Sequence, residues 1–227
     1  MQRKARRQNE QGLKPPSGAV LAAVPTDGGF AYGGFMGLVY GVGVNDFIGK
    51  VSETRSGKQK FYPFYLVWNG MLRRCYSNEY QEKYPTYAGV KVCDEWLSLS
   101  AFKVWFDLNF VDGWQIDKDL IVKGDVYSPE SCVFVPQWLN SFTIDSGASR
   151  GDFPIGVSLE KRTGMFRSSC RNGLGKQEFL GYFSCPEAAH NAWRDRKLEV
   201  AEDFKREMDD IDPRIYPRVV EIINSAR

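Results

Sequence analysis

The chain has 227 residues, 43% of them apolar and 14% aromatic, enough to fill real cores in one or two compact domains. Its formal net charge is only +2, so a nucleic-acid partner has to be argued from local clusters of charge and not from the total. No run approaches the ~20 apolar residues of a membrane span; the five scattered cysteines suit a reduced, intracellular protein, and a single histidine, His190, excludes every two-histidine mechanism.

Residues 1–35 read as a flexible basic arm. Arg3, Lys4, Arg6, Arg7 and Lys14 either touch phosphates without sequence preference or belong to a solvated tail. Recognisable pattern starts after Met36, a candidate internal start. Residues 38–60 read as strand and turn followed by a polar loop, TRSGKQK. From Tyr62 the spacing of Tyr65, Trp68, Met71, Leu72 and Cys75 predicts a helix. Residues 77–89 read as a tyrosine-rich loop and 91–93 as a short strand. A second amphipathic helix over 98–110 turns Phe102, Trp105 and Phe106 to one face, with Ser98 or Ser100 as its cap. Residues 115–122 are strand-like, 123–125 turn, 132–135 are apolar, and Pro136 suits the first turn of a short helix over 137–142.

The stretch DSGASRGD (145–152) is the clearest linker, dividing residues 36–144 from 153–227. Beyond it, short strands are predicted over 155–159, 165–171 and 177–183, separated by turns at Arg162-Thr163-Gly164 and Asn172-Gly173-Leu174-Gly175. Ser184 with Glu187 has the pattern of a capping box opening a long helix, and a short helix closes the chain. The fold class expected is α+β: a ββα unit with flanking helices, then a three-stranded antiparallel sheet packed on one helix.

Ile155-Gly156-Val157, Gly164-Met165-Phe166, Phe179-Leu180-Gly181-Tyr182-Phe183, Pro186-Glu187-Ala188-Ala189 and Trp193 follow one another in an ordered spacing. In these residues the C-terminal unit resembles the plant ethylene-response-factor (Apetala-like) type of DNA-binding domain, a module also common in phage endonucleases. The resemblance implies a sheet whose face enters the major groove of double-stranded DNA. It places contacts at Ile155, Ser158, Glu160, Ser169, Arg171, Gln177 and Phe179, with Arg162, Arg167 and Lys176 close by. Alternate side chains of a sheet can meet base edges and phosphates in this way.

The middle unit resembles the HNH homing endonucleases of phages. The matching residues are Trp68-Asn69-Gly70-Met71-Leu72-Arg73-Arg74-Cys75-Tyr76, then 87–96 (YAGVKVCDEW), Ile116-Asp117-Lys118, and 127–132 (YSPESC), ending near Asn140. The resemblance implies a site that holds one divalent metal, such as Mg²⁺, and a histidine that activates water. Asp117 aligns with the metal-binding acid. Lys118 stands at the place of the base histidine and Ser131 at that of an asparagine ligand. A lysine with an ordinary pKa of ~10.4 is a poor base at neutral pH. Asp119 and Asp125 are near in sequence and offer oxygens, so Asp117 and Asp119 are the candidate metal ligands. Cys75, Cys93 and Cys132 are three thiols that, with a fourth ligand, make a candidate zinc site.

Three expectations follow. The first is a phage-type double-stranded-DNA-binding protein, in the cytoplasm of a bacterial host, that has lost standard HNH cleavage. The second is an active metal-dependent endonuclease with an altered site, in which Asp117 binds the metal and Lys118 stabilises charge on the phosphate. The third is a non-enzymatic factor that binds a host or phage protein.

Overall fold

A computed structural model describes residues 37–143, 152–172 and 175–227. The basic arm, most of the linker and the tip of the 172–175 turn lie outside the described residues. The architecture is α+β.

Residues 38–49 carry no extended strand. Only isolated bridges form there, Val39 with Gly43 and Val44 with Ser98. The polar loop expected over TRSGKQK is instead a hairpin of β1 (Ser52–Arg55) and β2 (Lys58–Phe61), with Arg55 opposite Lys58. Ser56 and Gly57 both take left-handed φ, 51° and 74°. That is the two-residue turn whose twist matches antiparallel strands. The hairpin is polar and largely exposed, so it leaves no apolar alternation in the sequence.

Helix α1 (Pro63–Tyr76) starts on a proline and buries Phe64, Trp68, Met71, Leu72 and Cys75. Tyr65, expected on that face, is only partly buried. The predicted tyrosine-rich loop is structured: α2 (Asn78–Lys83) begins where the Ser77 side chain accepts from Tyr80 N, and a single 3₁₀ turn, Pro85–Tyr87, follows. Strand β3 (Lys91–Val92) leads to α3 (Leu99–Asn109), which buries Leu99, Phe102 and Phe106. Its cap is Ser98, whose Oγ accepts from Ala101 N and donates to Asp46.

The strand predicted over 115–122 ends early. Strand β4 (Gln115–Asp117) pairs antiparallel with β6 (Val133–Val135), and β5 (Val126–Tyr127) pairs parallel with β3. Leu120 and Ile121 leave the strand to enter a core. Helix α4 (Gln137–Phe142) follows Pro136 as expected.

The C-terminal sheet runs β7 (Val157–Glu160), β8 (Met165–Arg171) and β9 (Gln177–Phe183), antiparallel with β8 in the middle. It packs on α5 (Pro186–Asp203), followed by α6 (Lys205–Ile211) and α7 (Ile215–Ser225). The capping box predicted at Ser184 does not form. The residue that caps α5 is Cys185, with no side-chain bond, and Pro186 opens the helix.

Two cores result. The first joins α1, α3 and β6 around Trp68, Trp96, Phe102, Phe106 and Phe134, and Trp68 Nε1 donates to Trp96 O at 2.7 Å. The second takes residues from both sides of the 145–152 linker. Leu120, Ile121, Val135, Leu139 and Phe142 meet Trp193, Val200, Met208, Ile215 and Val219. Residues Met36–Arg227 accordingly form one contact unit. No helix among the described residues is long and apolar enough to cross a membrane.

Lys197 is the misfit of the second core. It is 8% exposed, and its ammonium lies 3.4 Å from the centre of the Phe142 ring. Burial pulls its pKa from the ordinary 10.5 down to about 8. The folded protein therefore binds this proton less tightly than the unfolded chain does. The penalty is complete below pH 8, and stability rises as the pH climbs from about 8 to 10.5. Lys197→Met should stabilise the fold at pH 7 by about 1–3 kcal/mol and flatten that rise, as read by urea unfolding across pH. An unchanged pH profile would show that Lys197 is not the source.

Candidate nucleic-acid interface and HNH-like site

Helix α5 covers one face of the β7–β9 sheet and so decides which side chains are left outward. Val157, Ser168 and Cys170 point to the helix and are buried. Ser168 Oγ donates to Ala189 O at 2.6 Å. Gly156 sits at φ +84°, where a Cβ would fall 2.3 Å from Trp193 Cγ, so the indole lies directly on the backbone. His190 stacks on Trp193, with Nδ1 2.9 Å from Ile155 O. Ile155, a contact in the resemblance, packs against the second core instead.

The opposite face carries most of the expected contact residues in rows set by the strand register. Ser158 stands opposite Arg167, and Arg167 opposite Tyr182; Ser169 faces Phe179; Arg171 faces Gln177. Arg167 and Arg171 are exposed and, by strand rise, about 13 Å apart, comparable to the ~12 Å major groove. Glu160 turns back on its own loop, where Oε1 accepts from Arg162 N at 3.2 Å. Arg162 and Lys161 are exposed in that turn, and Lys176 in the next.

Ion pairing separates this face from α5 and α7. Arg194, Arg196, Arg214 and Arg218 each pair with a carboxylate, Arg196 with both Glu178 and Glu199. Among the described residues no carboxylate pairs with Arg167 or Arg171. The guanidinium carbon of Arg167 instead lies 5.5 Å from the centre of the Phe179 ring.

Tyr182 belongs to this face, and the sequence reading missed it. Phe179 and Tyr182 are three residues apart and would fall on opposite sides of a regular strand. The register slips at Ser168/Ser169: Ser168 faces Gly181 while Ser169 faces Phe179, so Leu180 is an extra residue. The bulge brings both rings outward, 5.1 Å apart at 61°. A glycine inside a strand pattern, here Gly181, is the signal that could have pointed to it.

Asp117, Lys118 and Ser131, which the HNH resemblance singled out, are each held by local bonds. Asp117 ends β4, and its Oδ1 accepts from Asp119 N at 2.7 Å and Leu120 N at 2.9 Å. It acts as a turn cap. Burial pushes its carboxyl pKa up, against the lowering effect of those backbone bonds. Lys118 is buried, with Nζ 2.6 Å from Asp119 Oδ1 and 2.8 Å from Gly124 O. Ser131 Oγ donates to Val126 O at 2.7 Å and accepts from Ser128 N. Arg218 of α7 donates to Asp119 O at 3.0 Å. Arg74 Nε donates to the Tyr127 hydroxyl at 3.1 Å, and burial raises the pKa of that hydroxyl.

These residues do not fit a divalent cation. Asp117 spends an oxygen on two amides, Lys118 places an ammonium beside Asp119, and Ser131 is consumed by its own turn. Among the described residues no three His, Cys, Asp or Glu side chains converge as metal ligands. Cys75, Cys93 and Cys132 form no such group among the described residues. Burial pushes the Cys75 thiol up to about 11 and that of Cys132 to about 12, and also raises that of Cys93. Such thiols stay protonated and pack. A cleft of about 660 Å³ lined by Leu108, Val111, Trp114, Trp138, Glu207 and Asp210 contains none of the candidate residues.

No family model matches this chain, and no curated protein or solved structure matches it either.

Lys118 is held as a structural ammonium, and its removal strips Gly124 O of its donor. Lys118→Ala should therefore cost about 1–3 kcal/mol in urea unfolding. A neutral result would detach Lys118 from the 118–125 loop.

Proposed function

We propose that this chain is a phage-type double-stranded-DNA-binding protein. The outward face of β7–β9 meets the duplex, and the HNH-like unit does not perform standard cleavage. The observation that carries the reading is the pair Arg167 and Arg171, exposed on a sheet face and without carboxylate partners, while Arg194 and Arg196 of α5 and Arg214 and Arg218 at α7 are paired. Cations left unpaired on one face are suited to phosphates, which give most of the affinity for DNA and release counterions when bound. Ser158, Ser169 and Gln177 on the same face supply donors and acceptors for sugar or base edges. Lys161, Arg162 and Lys176 extend the positive charge into the two turns of the sheet.

The loss of cleavage is supported by Lys118. A buried ammonium tied to Asp119 and Gly124 is neither a free base nor a neighbour that a divalent cation tolerates. The scaffold then serves as a second body on which the DNA-binding sheet is mounted, through the core shared by Leu139, Phe142, Trp193 and Val200.

Titration of a labelled duplex over a range of salt tests the interface. Wild-type binding should weaken steeply as salt rises. Arg167→Ala and Arg171→Ala should each lower affinity about fivefold or more, and each should reduce the slope of log K against log salt by about 0.9. Wild-type affinity in both variants would remove the sheet face from the reading, and salt-independent binding would point to an apolar protein interface.

Incubation with supercoiled plasmid and Mg²⁺ or Mn²⁺ tests the lost cleavage. A mobility shift without nicking is expected. Nicking that disappears in Asp117→Ala would restore the nuclease reading.

A further inference from the structure

Two large aromatic rings lie in the middle of the proposed DNA face. Phe179 is 54% exposed and Tyr182 50% exposed, on a sheet whose other side is already filled by α5. They are brought together only by the bulge at Leu180. Their rings stand 5.1 Å apart, and Arg167 lies against Phe179. Polar groups surround the pair: Ser158 and Arg167 in the Tyr182 row, and Ser169 beside Phe179. Among the described outward residues, Met165, paired with Glu160 beyond Arg167, is the apolar neighbour on β8.

A continuous duplex offers this pair little. In its grooves the bases show only their edges, which are hydrogen-bonding groups and the thymine methyl, while the apolar base faces are stacked on one another. A phenyl or phenol ring finds a matching surface only on a base face, and that face is free only where a nucleotide is unpaired or a step is unstacked. Arg167 and Arg171 hold phosphates on either side, so the backbone can be anchored while one base turns onto the rings.

We infer that Phe179 and Tyr182 form a stacking platform for an unstacked base, so that the sheet face selects DNA with a bulged or unpaired nucleotide over a continuous duplex. The inference rests on the DNA-binding reading above. It adds to it the kind of DNA bound. The arginines supply affinity for any DNA, and the two rings supply discrimination by base exposure, without a hydrogen-bond code for sequence.

The test uses the full chain and two duplexes of the same sequence, one continuous and one with a single extra nucleotide. Affinity is read by fluorescence anisotropy at fixed salt. Wild type should bind the bulged duplex about tenfold more tightly. Phe179→Ala and Tyr182→Ala should each erase most of that preference, weakening the bulged duplex far more than the continuous one; both rings are exposed, so the fold should tolerate the changes. Arg171→Ala should weaken both duplexes alike. With 2-aminopurine as the extra nucleotide, wild type should quench its fluorescence and Phe179→Ala should not. Equal affinity of wild type for the two duplexes, or a preference that survives both ring substitutions, overturns this inference and leaves the DNA-binding reading standing. Failure to bind either duplex overturns both and makes the aromatic pair a protein contact.

Discussion

Trp193 lies on the bare backbone of Gly156, with His190 stacked against the indole and bonded to Ile155 O. This contact fixes the start of β7 to α5. Ser168 bonding to Ala189 O fixes β8 to the same helix. The inward face of the sheet is thereby closed, and the outward face is what remains. The exposure of Arg167, Arg171, Phe179 and Tyr182 depends on that choice of side. The same helix has a second duty. Its next turns, through Lys197, Val200 and Ala201, reach the core shared with Phe142 and Leu139, so the sheet is carried by the rest of the fold and does not hang from a linker.

The turn after β4 shows how polar side chains can be consumed by the structure they build. Asp117, Lys118 and Ser131 all bond within their own turns. An ammonium at position 118 cannot stay buried without acceptors, and the 118–125 loop supplies them from Asp119 and Gly124. Asp117 then turns to the backbone amides of that loop. Arg218 closes the arrangement from α7. Once each polar group is satisfied locally, little is left to coordinate an ion.

Much of this was legible in the sequence wherever burial imposes a period. The spacing of Trp68, Met71, Leu72 and Cys75 gave α1, and that of Phe102 and Phe106 gave α3. The turns around Gly164 and Gly175 gave the three C-terminal strands. The polar elements were harder to see. The β1–β2 hairpin is exposed on both sides, so its residues show no alternation, and the only trace of it is Ser56-Gly57. Helix α2 buries nothing, so its residues look like a loop. Strand β4 is shorter than its apolar pattern predicts because Leu120 and Ile121 serve the second core and not the strand.

The sequence by itself determined the kinds of element, their order and the residue types available for a site, because local propensity and apolar period are written in neighbouring residues. It did not determine which groups are free. Whether Arg167 is unpaired and Arg196 is neutralised depends on carboxylates brought in from other elements. Whether Lys118 faces solvent or a carbonyl depends on a loop closing back over it. Whether Phe179 and Tyr182 share a side depends on one extra residue in the register of a partner strand. These are long-range matters of pairing and burial, and only the tertiary structure decides them.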